Sequence, residues 1–323
     1  MNGPGVPRAG PGLDSISVCI PVYNRADAIE RALRSVEAQT RPALEVIAVD
    51  DGSRDDSSRV LERLVDEGRI AAAVRQPNGG VAAARNTAIQ LARGDWIVPL
   101  DADDELDPQA LERAAAAVAR APGADWCITD IVRIGEDGDQ VYRSRAPAGP
   151  PSTWLESMLE GNFVERTLLL RRRKLLDLGG YDPAFRCYED WELNLRMLRA
   201  GVTAAYAPGP MYRYIKTSGS ITSDLPRLLR AHRQIYERHH RLLADTGNPL
   251  YRRIFARRLW ALGRSYLDDV HDPRAAFECL LESLRYESAV GRILRSGAAR
   301  LGRAVRRPRT PPPPRPSDGA EPH

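Results

Sequence analysis

The chain has 323 residues, 43% of them hydrophobic and 28% charged, with a formal net charge of +4. That is the balance of a globular protein able to bury a core in one large domain or two smaller ones, and it excludes a fibrous or wholly disordered chain. All but two of the 47 basic residues, Lys174 and Lys216, are arginine, and they are spread along the chain without a nucleic-acid-binding module, so no nucleic-acid partner is expected.

Residues 1–14 lack the apolar core of a signal peptide and read as a disordered lead-in. Ser15–Ile20 (SISVCI) alternates like a strand and is broken by Pro21-Val22-Tyr23-Asn24. Ala26–Gln39 carries apolar residues at helical spacing. Leu44–Val49 is a short apolar run ending in Asp50-Asp51-Gly52-Ser53, and a helix through Val60, Leu61, Leu64 and Val65 follows. Ile70–Val74 is the next candidate strand, then a Pro77-Asn78-Gly79-Gly80 turn and an alanine-rich helix over Val81–Ala92. Trp96–Leu100 runs into Asp101, Asp103, Asp104, Glu105 and Asp107. Alternating strands and helices predict an α/β fold with a mostly parallel central sheet. Ligands of such sheets sit beyond the carboxyl ends of the strands, where this chain places PVYN, DDGS and DADD. So many carboxylates at one strand end raise one another's pKa, so a basic neighbour or a metal ion is expected beside them.

Further on, Trp126–Ile134 and Thr167–Leu170 are strand-like, Pro147–Thr153 is a proline-rich joint, and Trp191–Arg199 is helical with Gly201 as its cap. From about Asp224 the pattern is helical only. Trp260-Ala261-Leu262-Gly263 with Tyr266, followed by Asp272–Phe277, has the pattern of one helical hairpin. Ala289–Val305 is basic and amphipathic, a surface helix or a contact with an anionic membrane. The expected organisation is a lead at 1–14, an α/β domain at 15–222, a helical extension at 223–305 and a disordered Pro/Arg-rich tail at 306–323. No run reaches the roughly 20 apolar residues of a membrane span. The cysteines, Cys19, Cys127, Cys187 and Cys279, form no CxxC pair and read as unpaired thiols in a reducing compartment. A cytoplasmic protein is the default, with peripheral contact at the inner membrane face as an option of the basic segment.

Six motifs occur in order: Ile20-Pro21-Val22-Tyr23-Asn24-Arg25; Val49-Asp50-Asp51-Gly52-Ser53; Asn78-Gly79-Gly80-Val81 with Ala84-Arg85-Asn86; Leu100-Asp101-Ala102-Asp103-Asp104; Gly179-Gly180-Tyr181-Asp182; and Glu189-Asp190-Trp191. In that order they resemble the family 2 glycosyltransferases of GT-A fold, over residues 15–222. The resemblance implies an inverting, metal-assisted transfer from a nucleotide-diphosphate sugar, UDP-sugar first, to a hydroxyl of a glycan or lipid-linked acceptor in bacterial cell-envelope polysaccharide biosynthesis.

Carried over motif by motif, the resemblance implies that Asp101 faces the ribose and Asp103 a Mn²⁺ or Mg²⁺ ion, with Asp104 close by and Asp101 a second metal candidate. Hard oxygens beside phosphates suit such ions. Glu105 and Asp107 read instead as acids favouring a helix N-terminus. Asp51 would accept from the base, against a wall of Pro21 and Tyr23, while Asp50 reads as a turn cap. Arg85 is a diphosphate contact or a surface arginine, and Asn86 reads as structural. Gly79 and Gly80 suit a turn that needs positive φ. Of the acids Glu189 and Asp190, Asp190 is the first choice as general base, and helix capping is the other reading of the pair. Trp191, Trp154, Asn162 and Phe163 are acceptor-side candidates, with core packing the other reading of Trp191. The segment Met211–Ser220 (MYRYIKTSGS) lacks the histidine many relatives carry there; Lys216 is a candidate diphosphate contact or a loop lysine. Two other readings are a sugar nucleotidyltransferase, disfavoured because PVYNRADAIE lacks a glycine-rich phosphate loop, and a non-catalytic nucleotide-sugar-binding scaffold, disfavoured by the intact Asp103 and Asp190.

Overall fold

The structure, a computed structural model, describes residues 15–134, 139–144, 153–215 and 224–287. Lys216, the basic segment at 289–305, the two terminal stretches and most of the proline-rich joint lie outside the described residues.

The first half alternates as its sequence predicts. Strands β1 (Ile16–Val22), β2 (Glu45–Asp50), β3 (Ala72–Arg75) and β4 (Trp96–Pro99) are separated by helices α1 (Ile29–Glu37), α2 (Ser57–Asp66) and α3 (Val81–Leu91). All four strands pair in parallel, in the order β3-β2-β1-β4. Their residues alternate between two cores: Ile16, Val18, Ile20 and Val22 pack on one face, Cys19 with Ile47 and Val49 on the other. Burial on both faces is why these strands read as near-continuous apolar runs.

Beyond β4 the sheet becomes mixed. The added elements are β5 (Glu105–Leu106), α4 (Ala110–Ala119), β6 (Ala124–Ile134), β7 (Gln140–Tyr142), α5 (Trp154–Glu160), β8 (Arg166–Arg171), α6 (Arg172–Asp177), α7 (Glu189–Arg199) and β9 (Thr203–Ile215). The order continues β4-β8-β6-β9-β5 with β7 on β6, and only β6–β9 is parallel here. The expected parallel pairing therefore describes β1–β4; β6 and β7 are joined too closely for the crossover that a parallel pair requires.

Helices α1, α2 and α4 cover one face of the sheet, and α3, α5, α6 and α7 the other. The extension follows on that second side: α8 (Leu225–Ile235), a π-helical turn (Tyr236–His240), α9 (Arg241–Ala244), α10 (Pro249–Asp268) and α11 (Pro273–Tyr286). Asp224, Asn248 and Asp272 cap α8, α10 and α11 by accepting from backbone N–H groups of the first turn, each with a proline at the start of the helix. α10 and α11 form the expected hairpin. A Cβ on Gly263 would collide with Leu280, so glycine there sets how closely the two helices approach. One apolar cluster runs from the sheet through Trp191 of α7 to Ile235, Phe255, Leu259 and Cys279, so the extension shares the core of the α/β layer. All four cysteines are free and buried, as their spacing implied. No helix among the described residues is long and apolar enough to cross a membrane.

Candidate active site

The carboxyl ends of the adjacent strands β2, β1 and β4 deliver Asp51, Tyr23 and Asp101 to one edge of the sheet. β4 ends where Leu100 N–H donates to the Cys19 carbonyl, and the next N–H, of Asp101, donates to the Tyr212 hydroxyl at 3.0 Å. Facing this edge is the first turn of α7 with Glu189 and Asp190. Two guanidinium groups bridge the acids. Buried Arg85 of α3 donates to Asp101 Oδ1 and to Glu189 Oε1, both at 2.6 Å. Arg166, at the start of β8, donates to Asp101 Oδ2 and Asp104 Oδ2, both at 3.1 Å, with its guanidinium carbon 4.1 Å from the centre of the Tyr212 ring.

This arrangement answers the electrostatic question that the sequence poses: the positive neighbours are arginines. Arg25, in the loop after β1, donates through Nε to Asp103 Oδ2 at 2.9 Å, and Arg31 donates to the Asp103 carbonyl. Glu105 pairs with Arg31 and Arg213 and lies on β5, away from any helix start, which corrects its reading as a helix N-terminal acid. Asp107 does have that local role, accepting from Gln109 N–H just before α4. Burial alone would raise the Asp101 pKa, but Arg85 and Arg166 outweigh it and bring it to about 2. Asp104 is pushed up to about 7 by burial, against the pull of Arg166. Burial also raises Glu189 above the ordinary carboxylate range, with Arg85 acting against it.

In the loop after β2 the second acid forms no ion pair among the described residues. Asp51 accepts from Gly79 N–H at 2.8 Å, Gly80 N–H at 2.7 Å and Gln76 Nε2 at 2.8 Å, so its carboxylate holds the turn ahead of α3. Asp50 accepts from Ser53 N–H and the Ser58 hydroxyl, the expected turn cap. Gly80 has φ +87° and lies under Arg186, whose Nη1 a Cβ would strike; Gly79 is needed for space against Ala83, not for positive φ. Asn86 is structural as expected: its side-chain amide donates to the Tyr181 carbonyl and accepts from Tyr181 N–H, tying the GGYD turn to α3.

The remaining candidates divide by burial. Pro21 is buried in β1 and Tyr23 is 43% exposed beside it. Arg85 is consumed by Asp101 and Glu189 inside the protein, a different occupation from a diphosphate contact or a surface position. Trp191, 1% exposed, donates to the Met158 carbonyl, and Trp154, 5% exposed, packs edge-on against Phe163. Both rings are enclosed by protein, which corrects their reading as acceptor-side platforms. Asn162 accepts from Val164 N–H and takes a 3.5 Å contact from Asn194. Asp190 accepts from Trp191 N–H at 2.7 Å and forms no ion pair among the described residues. Arg166 and Tyr212 were missed as site residues. The residues around each in the chain carry no signal for their shared partner, Asp101.

Among the described residues no three His, Cys, Asp or Glu side chains converge on a common metal position. The side chains of Asp101 and Asp103 are 24% and 20% exposed at the edge of the site, whereas that of Asp104 is 1% exposed. Their hard carboxylate oxygens are of the kind that a divalent ion takes together with phosphates and water, and in this structure both oxygens of Asp101 and one of Asp103 accept from arginines.

A family model described as "Glycosyl transferase family 2" matches residues 17–185. The chain is 30% identical over 236 residues to the succinoglycan biosynthesis protein ExoO of Rhizobium meliloti, over 70% of this chain and 66% of that protein. It is 33% identical over 244 residues to the uncharacterized glycosyltransferase YibD of Escherichia coli K12, 70% of this chain and 68% of that one. It is 40% identical over 187 residues to the hyaluronan synthase of Pasteurella multocida, of which it spans 19%. It thus spans from a fifth to two thirds of the length of these curated relatives. The fold matches residues 1–349 of TarS from S. aureus, solved with UDP-GlcNAc, with a TM-score of 0.60 and 19% identity over 86% of this chain and 92% of that one. It also matches a mannosyltransferase from Pyrobaculum calidifontis solved with GDP-Man and Mn²⁺, with a TM-score of 0.51 and 20% identity over 89% and 80% of the two chains.

Proposed function

The chain belongs to glycosyl transferase family 2, and from that premise we propose that it is an inverting glycosyltransferase that moves a sugar from a UDP-sugar to a hydroxyl of a glycan or lipid-linked acceptor. The names of its relatives, a succinoglycan biosynthesis protein and a hyaluronan synthase, support a role in polysaccharide synthesis. The UDP-GlcNAc complex of TarS supports the donor class.

The observation that carries the mechanism is the contrast between two adjacent carboxylates. Glu189 is locked onto Arg85, whereas Asp190 beside it forms no ion pair among the described residues, which supports its availability to an incoming hydroxyl. Asp190 takes the proton of the acceptor hydroxyl, whose oxygen then attacks the anomeric carbon from the face opposite the diphosphate. One displacement inverts that centre. Asp101 and Asp103 would hold a divalent metal, which when bound stabilises the charge of the departing diphosphate. Pro21 and Tyr23 would flank the base. Asp51 would contact it while remaining the anchor of the Gly79–Gly80 turn. Arg85 is a positioning residue: it sets Glu189, and so the start of α7, at a fixed place relative to Asp101.

Replacing Asp190 with Asn is expected to lower transfer by ~10²–10⁴-fold while donor binding is kept. Donor binding is read as thermal stabilisation by UDP with Mn²⁺, where ligand at 100 times its Kd adds about 2.7 kcal/mol. Wild-type transfer by Asp190→Asn would remove Asp190 as the base. No stabilisation by UDP, GDP or dTDP in the presence of metal would remove the donor reading.

A further inference from the structure

The residue that turns the chain into Glu189–Asp190 is Tyr188, and its backbone is left-handed, with φ +58°. That conformation is disfavoured for a residue with a Cβ and persists only when its surroundings impose it. Here the Tyr188 ring meets Trp191 of its own helix edge-on at 5.7 Å, and its stacked neighbour comes from the helical extension. The Tyr188 ring stacks on His232 of α8, with centroids 4.6 Å apart and planes at 26°. Trp191, one turn into α7, meets the edge of the same histidine at 5.4 Å. The stack continues through Tyr236 and His240 to Phe255 of α10 and Tyr286 of α11. The π-helical turn lets two consecutive histidines reach inward. His239 contacts buried Glu192 of α7, and His240 Nε2 lies 2.6 Å from the Leu159 carbonyl of α5. Such turns recur where a helix is locally adapted to a function.

We propose that His232 is a positioning residue for the reaction: by stacking on Tyr188 it holds the left-handed turn that aims Asp190. On this basis the extension, which lies beyond the family-matched residues 17–185, completes the active site from outside the α/β layer. The inference rests on the reading of Asp190 as general base.

The test uses the full chain. UDP release is measured from the UDP-sugar that the wild-type protein turns over fastest in a panel, and thermal stabilisation by UDP with Mn²⁺ reads donor binding separately. His232→Ala is expected to lower kcat by about tenfold or more, since small displacements of a reacting group are costly, with donor KM and UDP stabilisation within about twofold of wild type. His232→Phe keeps a ring in the stack and is expected to restore most of kcat. Tyr188→Ala keeps the Cβ that disfavours the left-handed backbone and removes the ring. It is expected to behave like His232→Ala and carries the test if His232→Ala yields no folded protein. Phe255→Leu, further along the stack, is expected to lower Tm and leave kcat unchanged.

Wild-type kcat in His232→Ala or in Tyr188→Ala overturns the inference. So does a kcat loss in Phe255→Leu equal to that in His232→Ala, because the effect would then be one of stability alone. Asp190→Asn measured alongside separates the two readings. If it is inactive while His232→Ala is fully active, only the positioning role falls; if it is fully active, the base assignment falls and takes the positioning role with it.

Discussion

The loops after β2 and β4 are neighbours on one sheet edge, both begin with carboxylates, and they hold them by opposite means. After β2, Asp51 is surrounded by neutral donors, two backbone N–H groups and a glutamine amide, and Asp50 by serines, with the exposed guanidinium of Arg75 3.6 Å from it. After β4, Asp101, Asp103 and Asp104 are held by the guanidinium groups of Arg85, Arg25 and Arg166. Neutral donors fix geometry and are costly to leave unmade, so the first loop is a rigid scaffold. Charge neutralised by charge can be rearranged when other charges arrive, which is why the proposal puts a metal and a diphosphate at the second loop.

The comparison breaks first at Arg85. Arg85→Ala leaves Asp101 and Glu189 without their shared cation in a mostly enclosed site and is expected to cost about 3–5 kcal/mol, read by denaturant unfolding. A loss below about 1 kcal/mol would mean that the acids are solvated and that the arginines decorate the site without organising it. Asp51→Asn is expected to cost less, about 1–3 kcal/mol, because the amide turns a donor toward one of the glycine N–H groups. That loss should be nearly the same at low and high salt; a marked salt dependence would contradict a loop held by neutral donors.

A pH series sharpens the contrast. Asp104 has a folded pKa of about 7 against an ordinary value of 3.8. Its protonated form therefore favours the folded state, and that contribution is present below pH 4 and lost as pH rises through 7. Asp50 is held below its ordinary value despite burial, by Ser53 and Ser58, so its contribution is present above pH 4 and lost only in acid. Measured as Tm against pH, Asp104→Asn should gain on wild type between pH 4 and 7. A flat difference would show that Arg166 neutralises Asp104 throughout. The smallest effect is expected from Arg25→Ala. Its pair with Asp103 is partly exposed, worth up to about 1 kcal/mol, and should vanish at high salt.

Much of this site was legible in the chain because its parts are local. Val49-Asp50-Asp51-Gly52 and Leu100-Asp101-Ala102-Asp103 are apolar runs ending in acids, and a short run bounded by turn residues specifies a strand and its end without reference to the rest of the protein. Asp50 could be assigned a structural role for the same reason. Trp154 and Trp191 could not be placed, since an aromatic residue beside polar neighbours reads equally as a binding platform and as core. Arg85 could not either: arginine on a helix points to solvent unless something buried calls for it.

By itself, the sequence determined the strand–helix alternation, the positions of the three acidic or polar strand ends and the hairpin of the extension, all consequences of chemistry within a few residues. Only the tertiary structure decided that Asp101 meets Arg166, 65 positions along the chain, that Glu189 meets Arg85, 104 positions away, and that Tyr188 stacks on a histidine of the extension. Partners at such separations are chosen by the order in which strands join a sheet and by which helix faces must be buried together, and neither is recorded in the residues that eventually touch.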